Sequence, residues 1–98
     1  MGYLDDAARR GRRIVIGGKR LTPPGSDGWF VAPTVIDDLP VNDRCVHEEI
    51  FGPVLAVQVV DSAEEALAAA NGTSYGLMAG IYTRDLGKAL ALCRDLRS

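Results

Sequence analysis

The stretch VLAVQVVDSAEEALAAANG, residues 54–72, decides the fold. Its first part, residues 54–60, is a nearly continuous apolar run, which is typical of a central parallel strand buried on both faces. Ser62 and Glu65 then form a capping box, in which the hydroxyl and the carboxylate each satisfy a backbone N–H at the start of a helix. The pair Asn71–Gly72 predicts the end of that helix. Together these signals predict a strand followed by a helix.

A second strand and a second helix are predicted farther along the chain. Residues 77–82 form another short apolar segment, and residues 83–85 supply capping residues before Leu86. From there apolar side chains recur every three or four residues, which predicts a helix whose Cys93 faces the core. Two parallel strands joined through a helix form a right-handed crossover. We therefore expect an α/β fold, with a layered αβα arrangement and a mainly parallel sheet, which usually binds ligands beyond the carboxyl ends of its strands.

The first half of the chain predicts one helix and two strands. Residues 4–11 place small and apolar side chains at helical spacing. The β-branched run at residues 13–16 stops at a Gly–Gly pair, as a strand does when it enters a turn. Residues 23–28 form a loop by composition, and residues 29–39 return as a second strand, in which Pro33 indicates an edge position or a break. No repeat, low-complexity tract or linker divides the chain, so one continuous unit is expected.

Composition excludes several classes of protein without naming a function. The chain has 98 residues, of which 47% are hydrophobic and 24% charged, with a net charge of −2, as in ordinary soluble globular proteins. Neither nucleic acid nor an anionic membrane is an expected partner, because the charges are interspersed and slightly acidic. The basic run Arg9–Arg13 is interpreted as a solvated helix end, with an anion-binding patch as the alternative. No apolar stretch reaches the roughly 18 to 20 residues of a membrane span, and no export signal is evident, so a cytoplasmic location is expected.

The cluster of Cys45, His47, Glu48 and Glu49 raises two possible chemistries, and neither is expected. On an extended segment residues 45, 47 and 49 would share one face, yet the sequence has no second cluster of ligands, so no metal site is predicted. A nucleophilic Cys45 with His47 as its base would need a helix N-terminus or a third orienting group. Neither is evident. A phosphate-binding loop is also not expected, because Gly17–Gly18 lacks the further glycines at the required intervals.

The segment EEIFGPV, residues 48–54, is the most unusual feature of the sequence. Two adjacent acids next to Ile and Phe, directly before a buried strand, would be partly desolvated. Desolvation of a charge costs free energy unless the charge is paired or binds a ligand. The segment resembles, residue for residue, a signature of the aldehyde dehydrogenase superfamily. Two further stretches, GWFVAPTV at residues 28–35 and the Ala-Asn and Tyr-Gly-Leu groups within residues 70–77, are similar to other motifs of that superfamily and occur in the same order. The resemblance runs from about Tyr3 to Leu96.

The resemblance implies an NAD(P)-dependent enzyme that oxidises an aldehyde to a carboxylic acid. In this superfamily a cysteine thiolate attacks the carbonyl, hydride passes to the nicotinamide, and water hydrolyses the thioester. By position, Glu49 corresponds to the carboxylate that accepts hydrogen bonds from the nicotinamide ribose, which suits an acceptor-only group. Phe51 and Leu77 correspond to apolar neighbours of the nicotinamide. The Gly52–Pro53 bend would aim Glu49 and Phe51 inward.

The departures from the superfamily pattern restrict the expected role of this segment. The nucleophilic cysteine, the general-base glutamate, the oxyanion asparagine and the dinucleotide-binding fold have no counterpart, and neither Cys45 nor Cys93 aligns with the nucleophile. No catalytic residue is therefore expected in the chain. Residues 1–98 are expected to be part of the catalytic domain, with NAD or NADP as cofactor and with the aldehyde and the remainder of the enzyme as partners. The complete enzyme is expected to be a homo-oligomer.

A stand-alone, non-catalytic α/β module that binds a ligand or a protein is the alternative interpretation. Fold alone does not separate the two. The retained set of Glu49, Phe51 and Leu77 favours the enzyme, because a binding module has no reason to keep a cofactor wall. The 98-residue chain by itself is predicted to have no dehydrogenase activity and to expose an apolar sheet edge.

Overall fold

The computed structural model describes residues 1–97, whose internal contacts group into two units, residues 1–59 and the residues from Val60 onward. The elements, in chain order, are α1 (Gly2–Arg9), β1 (Arg13–Ile16), β2 (Arg20–Leu21), β3 (Phe30–Val31), β4 (Thr34–Asp37), α2 (Arg44–His47), β5 (Val54–Ala56), α3 (Ala63–Asn71) and α4 (Leu86–Asp95). Among the described residues, no helix is long and apolar enough to cross a membrane.

The first unit contains a mixed three-stranded sheet with the order β1-β4-β5. β1 runs antiparallel to β4, with Ile14 opposite Ile36, whereas β5 runs parallel to β4, with Leu55 opposite Val35. The expected mainly parallel sheet is thus wrong for this part of the chain, because β1 returns beside β4 through the antiparallel ribbon of β2 and β3. The α/β class is confirmed.

The apolar run at residues 54–60 forms a shorter and more exposed strand than predicted. Only Val54–Ala56 is strand, and it is parallel to its neighbour as expected. It lies at the edge of the described sheet rather than at its centre, and both Leu55 in the strand and Val59 after it are exposed. The apolar run is suited to a strand that is buried on both faces, but the first unit buries only some of its side chains, such as Val54 and Ala56, and only in part.

Helix α1 and strand β4 supply most of the core. The helix buries Leu4 and Ala7, and β4 buries Ile36, which is 0% exposed. The cluster is completed by Leu39 and Cys45, and its members touch partly buried residues of β1, β3 and β5. Burying one such aliphatic side chain contributes about 1.5–3 kcal/mol. This core therefore fixes the face of the sheet on which α1 and α2 lie.

The break predicted at Pro33 is present and has a clear cause. Residues 29–39 divide into β3 and β4, and Thr34 begins β4 directly after Pro33. The Thr34 hydroxyl accepts a hydrogen bond from the Gly18 N–H at 2.8 Å and donates one to the Ala32 carbonyl at 2.7 Å. Gly17 has a φ of +79°, and a Cβ there would lie 2.2 Å from the Pro33 oxygen. Glycine is required because the turn passes directly over the strand break.

The basic run after α1 is paired with acids rather than free to bind anions. Helix α1 ends at Arg9, where the run begins. Arg9 and Arg10 contact Asp6 at 3.3 and 3.0 Å, Arg12 contacts Asp43 at 2.6 Å, and Arg13 contacts Asp37 at 3.7 Å. The helix-end interpretation fits this arrangement.

The second unit consists of α3 and α4 joined by a segment without regular structure. Ser62 caps α3 by accepting from the Glu65 N–H at 3.1 Å, as predicted. The Glu65 carboxylate accepts from the Asp61 N–H at 2.9 Å rather than from the Ser62 N–H of a standard capping box. The Asn71 amide donates to the Asp95 carbonyl at 3.0 Å and accepts from the Arg97 N–H at 2.8 Å. The end of α3 therefore holds the end of α4.

Two predictions for the second unit are wrong. Residues 77–82 form no strand, so the crossover from residues 54–60 is not present in the described chain. Cys93 is exposed rather than core-facing. The residues described from Val60 onward contain no strand, so within their own unit α3 and α4 have no sheet to pack on, and Cys93 is left exposed.

Candidate functional site

The segment of residues 48–53 connects α2 to β5 and is tied to the fold at both ends. Asp43 caps α2 by accepting from the Cys45 N–H at 2.9 Å. The helix stops at Glu48, whose φ of −101° and ψ of 141° turn the chain into an extended course. At the other end, the Pro53 carbonyl accepts from the Thr34 N–H at 2.8 Å, which joins the segment to β4. The side chains between these anchors are thus presented by a fixed stretch of backbone.

Glu49 and Phe51 are presented together beside an open cleft of about 330 Å³. The Phe51 ring is 92% exposed, although aromatic rings are usually buried. The Glu49 side chain is also exposed, and within residues 1–97 it has no hydrogen-bond or ion-pair partner. The cleft is otherwise lined mainly by apolar atoms of the residues that flank it, including Tyr3, Val31 and Pro53. A carboxylate and an aromatic ring are therefore both available to a molecule lying there.

Leu77, the third predicted site residue, belongs to the second unit. Its side chain is 93% exposed, and it follows a turn in which the Tyr75 N–H donates to the Thr73 hydroxyl at 3.2 Å. The structure brings Glu49 and Phe51 together on one segment. Leu77 is exposed on its own unit, so its role beside Phe51 stays a prediction.

Glu48, the first acid of the pair, is bound on the protein rather than free. Its Oε2 accepts from the Tyr3 hydroxyl at 2.7 Å and from Arg44 Nη2 at 3.0 Å. The hydrogen bond from Tyr3, followed by that from Arg44, holds the pKa of Glu48 below its ordinary value. The same contact with Glu48, together with desolvation, raises the pKa of the Tyr3 phenol. The two neighbouring acids thus differ: one is partnered within the protein and the other faces solvent.

Tyr3 and Arg44 were not expected as site residues. Tyr3 is 45 positions from Glu48, and no sequence spacing indicates that contact. The Arg44–Glu48 pair could have been found, because an i, i+4 spacing of opposite charges stabilises a helix turn. From the sequence alone, residues 45–49 are considered only as a possible extended segment, whereas residues 44–47 are helical.

Cys45 has the surroundings of a structural thiol. Its side chain is buried among the core residues, and burial, followed by the charge of Asp43, raises the pKa of the thiol. A raised pKa leaves less thiolate, which is the nucleophilic form. Asp43 itself is buried, which opposes its ionisation, but hydrogen bonds from the Cys45 N–H and Arg12 hold its pKa below the ordinary value. Asp43, Arg12 and Cys45 thus stabilise the start of α2.

The chain is similar over its whole length to known aldehyde dehydrogenases. The family model described as the aldehyde dehydrogenase family matches residues 1–98. The 4-trimethylaminobutyraldehyde dehydrogenase A of Danio rerio is 39% identical over 100% of this chain, and that of Oryzias latipes is 35% identical. The chain spans only 20% of the length of each of these relatives.

Solved structures give the same result for the fold. The indole-3-acetaldehyde dehydrogenase of P. syringae, in complex with NAD+ and IAA, matches 99% of this chain with a TM-score of 0.91 and 42% identity, over 19% of its own length. The lactaldehyde dehydrogenase of Escherichia coli matches 97% of the chain with a TM-score of 0.87 and 36% identity, over 19% of its length. From its sequence motifs, its fold and these matches, the chain belongs to the aldehyde dehydrogenase family.

Proposed function

We propose that this chain is part of an NAD(P)-dependent aldehyde dehydrogenase, which oxidises an aldehyde to a carboxylic acid, and that it forms the nicotinamide side of the cofactor site. Family membership over residues 1–98 supports the reaction class, and the relatives' fivefold greater length supports a partial role. The nucleophile is then supplied by residues outside this chain, because Cys45 is buried in the core and neither Cys45 nor the exposed Cys93 corresponds to the nucleophilic cysteine in the family's motifs.

The observation that carries the proposal is the paired exposure of Glu49 and Phe51 beside the same cleft. An ionised carboxylate without a protein partner is well suited to accept hydrogen bonds from two ribose hydroxyls. An exposed aromatic ring offers an apolar surface to the nicotinamide. The residues present therefore fit NAD or NADP. Leu77, a large exposed apolar side chain of the second unit, is proposed as a further neighbour of the nicotinamide on the strength of the sequence motif alone.

When bound, the nicotinamide accepts hydride from the substrate, and the residues of this chain orient it. Glu49 would hold the ribose, and Phe51 would limit the movement of the ring. Gly52 and Pro53 would keep both side chains in place, because the Pro53 carbonyl is bonded to β4. These contacts would set the distance that hydride must cross, on which the rate depends steeply.

The proposal extends to the remainder of the enzyme. The exposed β5 edge, with Leu55 exposed, is where further strands would complete a parallel sheet and a layered αβα domain. The aldehyde would bind to residues that this chain does not contain. A homo-oligomeric enzyme and a cytoplasmic location stay predictions from the sequence.

The test is to replace Glu49 by Gln in the complete enzyme and to measure NADH formation at varied NAD+ concentration. Removing the charge weakens charge-assisted hydrogen bonds, each of which is worth about 1.5–3 kcal/mol. We expect kcat/KM for NAD+ to fall by about 10- to 100-fold.

Glu64→Gln is the matched control, because Glu64 is an exposed acid at the start of α3. It should leave kcat/KM for NAD+ unchanged. If Glu49→Gln behaves like Glu64→Gln, Glu49 is not a cofactor ligand, and the alternative of a non-catalytic binding module gains support. Turnover of an aldehyde with NAD+ by the purified 98-residue chain would contradict the proposal that the nucleophile lies outside it.

A further inference from the structure

We propose that Tyr3, Arg44 and Glu48 act as a positioning clamp that fixes the direction in which Glu49 and Phe51 face the cofactor. The inference rests on the proposed function, because it assigns to Glu49 the ribose contact. It adds three residues that touch no substrate and act through their neighbours.

The side chains of Tyr3 and Arg44 converge on one carboxylate oxygen of Glu48. Glu48 Oε2 accepts from Tyr3 Oη at 2.7 Å and from Arg44 Nη2 at 3.0 Å. The guanidinium of Arg44 also lies over the Tyr3 ring, 4.4 Å from its centroid. Each member thus contacts the other two. Such a closed arrangement restricts the Glu48 side chain more than a single ion pair does.

Two separate elements anchor the clamp to the core. Tyr3 lies on α1 next to Leu4, which is buried against the sheet. Arg44 is the first residue of α2, between the buried residues Asp43 and Cys45. The Glu48 N–H donates to the Arg44 carbonyl at 2.9 Å, so Glu48 is held through its backbone as well as its side chain.

Glu49 depends on this anchoring because no hydrogen bond or ion pair within residues 1–97 holds its side chain. Its carboxylate is without a partner among residues 1–97, so its direction is set by the backbone that Glu48 begins. Tyr3 also lines the cleft next to Glu49 and Phe51, so the clamp is adjacent to the site that it orients. Small displacements of a group that positions a reactant have large effects on binding and rate.

The exposure of the clamp indicates that its role is local. The Arg44 and Glu48 side chains are 39% and 47% exposed, and pairs so accessible to water add little to global stability. An effect of the clamp on cofactor binding should consequently appear without a comparable loss of folding stability.

The experiment is Tyr3→Phe in the complete enzyme, with NAD+ as the probe. Phenylalanine keeps the ring under Arg44 and removes only the hydroxyl. We expect KM for NAD+ to rise about three- to tenfold, as for the loss of one hydrogen bond, with kcat at saturating NAD+ within about twofold and Tm unchanged. Tyr82→Phe is the matched control, because Tyr82 is 100% exposed and lies in the second unit. It should leave KM unchanged.

The Glu49→Gln background shows whether the clamp acts through Glu49. Residues that act as one unit have non-additive effects, so Tyr3→Phe should add no further increase in KM once Glu49 is Gln. If Tyr3→Phe leaves KM for NAD+ unchanged while Glu49→Gln raises it, the proposed positioning role of the clamp is wrong and the cofactor role of Glu49 stands. If Tyr3→Phe lowers Tm and kcat along with affinity, the contact is merely structural and the inference is overturned. If Glu49→Gln itself has no effect, both the proposed function and the clamp are refuted.

Discussion

The two units of this chain have similar sequence patterns but very different degrees of burial. Every residue that is buried in the described structure belongs to residues 1–59, where α1 packs on the sheet. From Val60 onward the described residues include two capped helices and no buried side chain. Local signals of capping and periodicity thus suffice to form a helix. Burial requires a second surface, which only the first unit contains.

The largest expected difference between the units comes from removing an apolar side chain. Ile36→Ala, at the centre of the first unit, should cost about 2–5 kcal/mol, because it leaves a cavity. Leu90→Ala, in α4 with its side chain 63% exposed, should cost much less. Amide hydrogen exchange of the chain would measure the free energy of opening in each unit. Equal losses for the two variants would contradict the proposed difference in burial.

The next contrast is between a largely buried ion pair of the first unit, Arg12–Asp43, and an exposed ion pair of the second, Arg94–Asp95. Arg12→Gln leaves the buried Asp43 carboxylate without its partner and should destabilise the first unit by about 2 kcal/mol. Arg94→Gln disrupts the exposed pair with Asp95 and should have a smaller effect. Hydrogen exchange of α2 and α4, compared between the variants, measures both. A larger effect at α4 than at α2 would reverse the order expected from burial.

The pH dependence of the first unit follows from Asp43. Its pKa in the folded chain lies below the ordinary value, so its contribution to stability is complete above the unfolded pKa of 3.8 and is lost as pH falls through the folded pKa. Stability of the first unit should therefore decrease in acid below about pH 4. Asp43→Asn should flatten that part of the pH profile measured by circular dichroism. An unchanged profile would assign the acid sensitivity to other carboxylates.

The smallest expected effect is that of the α3 cap. Ser62→Ala removes the acceptor for the Glu65 N–H and should cost about 1 kcal/mol of local helix stability. Faster exchange should be confined to α3, with no change in α1. Ser74→Ala, an exposed position outside the helices, is the control. A loss of protection that extended to α1 would mean that the two units unfold together.

The fold was predictable where the signal is local. The Ser62 cap of α3, the Asp85 cap of α4 and the strand that stops before Gly17 all appear in the structure, because each depends on residues a few positions apart. The strand at residues 77–82 and a core-facing Cys93 were wrong. An apolar pattern indicates which face is suited to burial, but it does not indicate whether the covering surface belongs to the same stretch of chain.

The candidate site was predictable to a similar extent. Glu49 and Phe51 were chosen from a motif, and the structure presents both beside one cleft. The contact of Tyr3 with Glu48 was not predictable, because it depends on α1 packing near α2. The sequence shows two adjacent acids, Glu48 and Glu49. The structure is needed to show that Glu48 is bound by Tyr3 and Arg44 while Glu49 faces solvent.

The hydrogen bonds of Asn71 have a consequence for chemical ageing. Its amide faces a carbonyl on one side and an N–H on the other, so donor and acceptor cannot be exchanged. Asparagine is thermolabile, and before Gly72 it is especially so, because the unhindered Gly72 nitrogen can attack the side-chain carbonyl, expel ammonia and form a succinimide that water then opens. The resulting carboxylate would still accept from Arg97, but it would place a negative charge against the Asp95 carbonyl. Deamidation at this one position would thus weaken the link between the ends of α3 and α4 by removing one of its two hydrogen bonds.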